Sequence, residues 1–138
     1  MRGRIAAENI KLKRAYDAAR SSDGTRVLID RLWPRGVRKV DAAIDVWAKD
    51  IAPSTALRRW FGHDPARWHE FRRRYSEEIH QRRDRLSALR VLAQEGRITL
   101  VFAAHDRAHN DAVVLREILL GRSIPRALRS RSLRSHRS

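Results

Sequence analysis

The chain has 138 residues, 31 of them Lys or Arg against 16 Asp or Glu, giving a formal net charge of +15 at pH 7. It has no cysteine, which excludes disulfides, zinc–thiolate centres and thiol catalysis. Its length suits a single domain with its own core, no apolar run approaches the ~20 residues of a membrane span, and no apolar segment follows Arg2 and Arg4 as a secretory signal requires, so the cytoplasm is the expected compartment.

Residues 1–8 are polar and read as a flexible N-terminus. Ile10 and Leu12 alternate with Lys11, Lys13 and Arg14 up to Ala15 and Tyr16, which predicts a first strand. Ser, Asp and Gly mark 18–24 as a loop. Residues 26–30 predict a second strand, and the unbroken Val27-Leu28-Ile29 run suits burial on both faces, as in a parallel sheet. Pro34 and Gly36 end it. Residues 41–44 suit a short helical turn. Val46 to Lys49 reads either as a short third strand or as helix.

Ser54 is a good N-cap for a helix over 55–61, closed by Gly62. Asp64 followed by Pro65 starts another. Trp68, Phe71, Tyr75 and Ile79 recur at helical spacing, and Leu86, Leu89, Leu92 and Ala93 extend the pattern. This is one long helix or two with a bend near Arg82–Asp84, stopping at Glu95-Gly96. Residues 98–103 (ITLVFA) predict an apolar strand, 104–109 a loop, and Ala112 to Leu119 a last helix. Residues 121–138, with six arginines and no acid, predict a disordered basic tail. Removing those six charges leaves +9 on residues 1–120. The order of elements predicts an α/β fold: a single domain over 9–120 with a small, mainly parallel sheet flanked by helices in Rossmann-like layers.

In such sheets ligands bind outside the carboxyl ends of the strands. Three polar segments fall there if the strands are parallel. Asp30, Arg31, Trp33 and Arg35 follow the second strand. Trp47 to Lys49 leads into Pro53 and Ser54. His105, Asp106, His109 and Asn110 follow the last strand. Arg31 and Arg35 offer planar forks suited to phosphate or carboxylate, and Trp33 could stack on a ring. The structural alternative pairs Asp30 with Arg31, packs Trp33 in the core and leaves Pro-Gly as a turn. Asp106 is expected to cap the last helix while His109 and Asn110 point into the site, with His109 as a general acid or base. His105, Asp106 and His109 are too few for an assured metal set, so no metal is assigned. His63 belongs to the turn between helices or to the site. GxGxxG, GxxxxGK[ST], GxSxG and HExxH are all absent.

Several strings together resemble a known family: IKLKRAYD at 10–17, RVLIDRLWPRGVRK at 26–39, WAKDIAPSTALRRWFGHDPARWHEFRRRY at 47–75 and HNDAVVLRE ending at Glu117. They resemble the DUF488 family of small bacterial proteins, in its YeaO-like branch, over about residues 9–120. The resemblance implies a compact α/β domain and carries no assigned reaction or cofactor. Asp30, Arg31, Trp33, Arg35, Lys49, Ser54, His63, Asp106, His109 and Asn110 fall on the family's motif strings. Ala18 replaces a proline of the family pattern, and His105 stands where the family has arginine, which further weakens a two-histidine metal set.

Two functions compete. One is a binding domain or enzyme for a small anionic ligand, with Arg31, Arg35 and Lys49 holding it and Asp106 and His109 moving protons. The other is a nucleic-acid-binding protein using Arg67, Arg72, Arg73, Arg74, Arg82, Arg83 and Arg85 with the basic tail. The interleaved acids Glu70, Glu77, Glu78 and Asp84 suggest that those arginines pair along the helix instead. An assembly module, pairing apolar helices across a two-fold axis as a homodimer, is a third option.

Overall fold

The computed structural model describes residues 4–122 and Ile124. Four strands form one parallel sheet: β1 (Ile10–Arg14), β2 (Thr25–Leu28), β3 (Val46–Trp47) and β4 (Ile98–Phe102). Their spatial order is β1-β4-β2-β3, so the last strand in sequence lies between the first two. Its register sets Ile98 beside Ile10 on one side and beside Thr25 on the other. All five β4 residues are buried, as are Val27, Leu28 and Ile29, which is what an apolar run in a parallel strand requires.

Alternation sorts the side chains into two faces. Ile10, Val27, Ile29, Ile98, Leu100 and Phe102 join the main core. Against them pack α2 (Thr55–Phe61), α3 (Trp68–His80), α4 (Arg83–Glu95) and α5 (Asp111–Leu119). On the other face Ala15, Leu28 and Val101 gather beneath Trp33 and Ile44. That face also carries a buried polar knot. Asp23, with no exposed surface, accepts from Lys13 Nζ at 3.0 Å, Arg26 Nη1 at 2.7 Å and the Arg20 N–H at 3.0 Å. Arg26 Nε donates to the Ala42 carbonyl of α1 (Lys39–Ala42), while its Nη2 is buried without a partner.

Local signals explain the helices. Ser54 Oγ accepts from the Leu57 N–H and Gly62 closes α2 in the left-handed conformation, so α2 has the bounds its caps predict. Asp64 caps a 3-10 turn over Pro65–Arg67, and α3 continues from it. The long helical pattern is two helices, broken at Gln81 and Arg82. Only Gly121, Arg122 and Ile124 of the basic tail are described, so the expectation of disorder over 121–138 falls largely outside the described residues. Among the described residues no helix is long and apolar enough to cross a membrane.

Candidate functional site

The four parallel strands end on one edge, and the segments after β1, β2 and β4 meet there around a cleft of about 840 Å³. It is lined by Tyr16 from the β1 end, by residues 30–35 after β2, by Pro53, and by residues 103–106 and 109–111 after β4. Arg58, Phe61 and His63 at the end of α2 and Phe71 of α3 close it.

The floor lies between the two central strands. Asp30 Oδ2 accepts the Ala103 N–H at 2.8 Å, joining the ends of β2 and β4. Beside it Asp111, the first residue of α5, is held well above the usual carboxyl range, by burial first and then by the charge of Asp30 and the hydrogen bond between them. Two carboxyl groups in contact cannot both ionise cheaply, which favours the protonated form of Asp111.

The rim is cationic. Arg35 and Arg58 are exposed, and neither has an ion-pair partner among the described residues. The Arg35 carbonyl accepts from Tyr16 Oη at 2.9 Å, and Gly36 turns the chain at φ 77°, so the tip of this loop is fixed at the main chain. His63 has φ 58°, a left-handed conformation uncommon outside glycine.

Asp106 does not cap α5, contrary to the sequence expectation. It folds back on its own loop, accepting from the Ala108 and His109 N–H groups at 2.9 and 3.0 Å. Asn110 is the cap: its Oδ1 accepts from the Val113 N–H and its Nδ2 donates to the Asp106 carbonyl. Asp106 Oδ2 also lies 2.8 Å from His109 Nδ1, and this contact, followed by the Ala108 N–H, holds the Asp106 carboxyl below its usual range. The far side of the His109 ring meets Trp68 edge-on at 5.0 Å.

The other sequence candidates divide. Asp30, Arg31, Trp33, Arg35, His63, Asp106, His109 and Asn110 all line the cleft. Arg31, however, spends its guanidinium on the Pro53 and Ala52 carbonyls, at 3.3 Å each, and among the described residues it has no ion-pair partner. Trp33 donates to the Val37 carbonyl and packs beneath the sheet. Lys49 and Ser54 stand apart from the cleft. Lys49 sits over the Trp47 ring at 4.4 Å, and Ser54 bonds Glu78 as well as capping α2. Arg58, Phe61, Phe71 and Asp111 are cleft residues that sequence reasoning missed. In the sequence Phe61 is only the last residue of the capped helix, helical spacing marks Phe71 only as part of an apolar helix face, and Asp111 has the ordinary look of an acid in a first helical turn.

The helix arginines are largely engaged. Arg72 pairs with Glu117, Arg73 with Glu70 and Glu77, Arg74 with Glu70, Arg67 with Asp64, and Arg85 with Asp50. Among the described residues no group of three or more His, Asp or Glu is placed to hold a metal ion.

A family model described as the inactive DUF488-N3 subclade matches residues 9–134. The uncharacterized Mycobacterium tuberculosis protein Rv3073c is 42% identical over 118 residues, covering 86% of this chain and 99% of its own. The uncharacterized Escherichia coli protein YeaO is 42% identical over 111 residues, covering 80% of this chain and 96% of its own. No solved structure matches significantly.

Proposed function

The chain belongs to the DUF488 family, and we propose that it holds a small ligand bearing a phosphate or carboxylate in the cleft at the carboxyl edge of its sheet. The observation that carries this reading is the charge balance of the lining. Arg35 and Arg58 stand at the rim without ion-pair partners among the described residues, Arg31 adds a third guanidinium to the lining, and of the acids facing them burial pushes Asp111 toward its neutral form. Three guanidiniums then face the acids Asp30 and Asp106, so the field at the mouth is positive, and a planar guanidinium fork there suits a phosphate or carboxylate.

The subclade's description as inactive favours retention of the ligand over its turnover. The Asp106–His109 contact then holds the imidazole ring in one orientation at the wall of the cleft. The competing nucleic-acid reading loses support because most arginines of α3 and the 3-10 turn before it are paired with acids.

The test is a thermal-shift screen of the full chain against inorganic phosphate, polyphosphate, sugar phosphates, nucleotides and dicarboxylates, repeated with Arg35→Ala and Arg58→Ala. A ligand at 100 times its Kd raises stability by about 2.7 kcal/mol. The expected result is a shift in the native chain that both variants lose. Equal shifts in native and variant chains would refute the cleft reading. Steeply salt-dependent binding to DNA with no small-molecule shift would replace it with the nucleic-acid one.

A further inference from the structure

The cleft has a rim and a floor of opposite character. Arg35 and Arg58 are exposed at the rim, while Asp30 and Asp111 are half-buried at the floor and hydrogen-bonded to each other. Both acids are anchored by main-chain donors, Asp30 by the Ala103 N–H and Asp111 by the Ala112 N–H, each at 2.8 Å. The neighbouring elements bring the Tyr75 hydroxyl, Glu78 and Arg31 close to this pair. Tyr75 donates to the Ile51 carbonyl, Glu78 serves Ser54, and Arg31 serves the Ala52 and Pro53 carbonyls. Each of these three has a hydrogen-bond partner of its own, so the floor presents two carboxyl groups to the cleft, and burial favours a proton on Asp111. The pair offers an O–H donor beside carboxylate acceptors.

Between floor and rim the lining is apolar. Pro34, Pro53, Phe61, Phe71 and Ala104 form it, and the Phe61 and Phe71 rings stack at 4.3 Å. A bare phosphate or a sugar phosphate would satisfy the rim but leave this wall wetted and the floor unmatched. An apolar ring without polar edges would leave a buried charge unanswered.

We propose that the occupant is a flat, apolar-bodied molecule with an anionic group at one end and an edge of N–H donors beside an acceptor at the other, the pattern of a nucleoside monophosphate, its anion at Arg35 and Arg58 and its edge on the Asp30–Asp111 pair. The proposal rests on the anion-binding reading of the same cleft, and it adds the ring and its edge.

The experiment measures binding of adenosine, guanosine, cytidine and uridine monophosphates to the full chain by calorimetry, with ribose 5-phosphate as the probe lacking a base. It is repeated with Asp111→Leu and Arg35→Ala. The expected result is at least one base-bearing probe held about tenfold or more tighter than ribose 5-phosphate, because a site built to hydrogen-bond an edge rejects ligands without it. Asp111→Leu should bring that probe down to the ribose 5-phosphate level while leaving ribose 5-phosphate binding intact, which also shows that the variant is folded. Arg35→Ala should weaken both. If ribose 5-phosphate binds as tightly as every base-bearing probe, or if Asp111→Leu keeps the preference, this proposal fails and anion binding stands. If no probe binds, both fail. The comparison of probes on the native chain decides the matter even if Asp111→Leu does not fold.

Discussion

The carboxylate of Asp30 accepts the main-chain N–H of Ala103 at 2.8 Å, tying the end of β2 to the end of β4 at the bottom of the cleft. This is a side chain standing in for a ladder bond. The last regular bond between these segments runs from the Ile29 N–H to the Val101 carbonyl, after which the chains diverge. Asp30→Ala leaves the half-buried Ala103 N–H without its partner and should cost about 1–3 kcal/mol of stability. Asp30→Asn retains an acceptor oxygen and should cost less. Urea denaturation of the three chains checks the order.

Asp23 makes a different use of a buried acid. Burial works to raise its pKa, but the Arg20 N–H and the Lys13 and Arg26 side chains outweigh it and bring the value from 3.8 to about 2. A folded value below the unfolded one means stability that is fully present above about pH 4 and lost as pH falls toward 2. The amount is about 2 kcal/mol, since the side chain has no exposed surface. Asp23→Asn should therefore be less stable than the native chain at pH 7, and the gap should narrow as acid is added. A parallel loss at every pH would show that the cost is packing alone.

Two glycines separate crowding from backbone conformation. Gly24 has φ 66°, and a Cβ there would lie 2.1 Å from the Arg97 carbonyl oxygen. Gly36 has φ 77° with nothing within 4 Å of the added atom. Gly36→Ala should cost about 1–2 kcal/mol for the left-handed conformation. Gly24, with ψ −139°, lies outside even the left-handed helical region, so Gly24→Ala costs at least as much, must also move the Thr25 N–H···Arg97 carbonyl bond of 3.0 Å, and should be the worse by a clear margin in thermal denaturation.

Ser54 joins two helices through one hydroxyl. It accepts from the Leu57 N–H and donates to Glu78 Oε2 at 2.6 Å. Ser54→Ala should cost about 1–2 kcal/mol, the upper range for a lost cap, because Glu78 of α3 loses a donor as well. Ser54→Thr should recover most of it.

The fold was legible where one residue type answers one local need. Ser54 and Gly62 bounded α2 because a cap and a left-handed stop are read from the chain itself. Val27 to Ile29 announced a buried parallel strand by composition, and residues 98–103 an apolar strand that the structure gives as 98–102. β3 is two residues long, too short for periodicity to separate it from helix. At the site, Asp106 and Asn110 are both good caps, and only the path of the loop decides that Asn110 takes α5 while Asp106 takes its own turn. Asp111 joins Asp30 through the approach of α5 to the end of β2. No local pattern encodes that meeting of distant segments. The same holds for Arg31, whose carbonyl partners lie in a later loop.

The placement of β4 between β1 and β2 has a consequence for how the chain is made. A ribosome delivers β1 first, yet the strand that pairs with it along its whole length is residues 98–102. Until those residues emerge, Ile10 and Leu12 have no sheet to enter, and β2 can pair only with the two residues of β3. The early chain must therefore wait with its strands unpaired, and the domain closes late in a step that spans most of its length. Prematurely terminated chains ending before Ile98 lack the strand that joins β1 to β2, so they should be recognised as unfolded and degraded rather than accumulate as a partial domain.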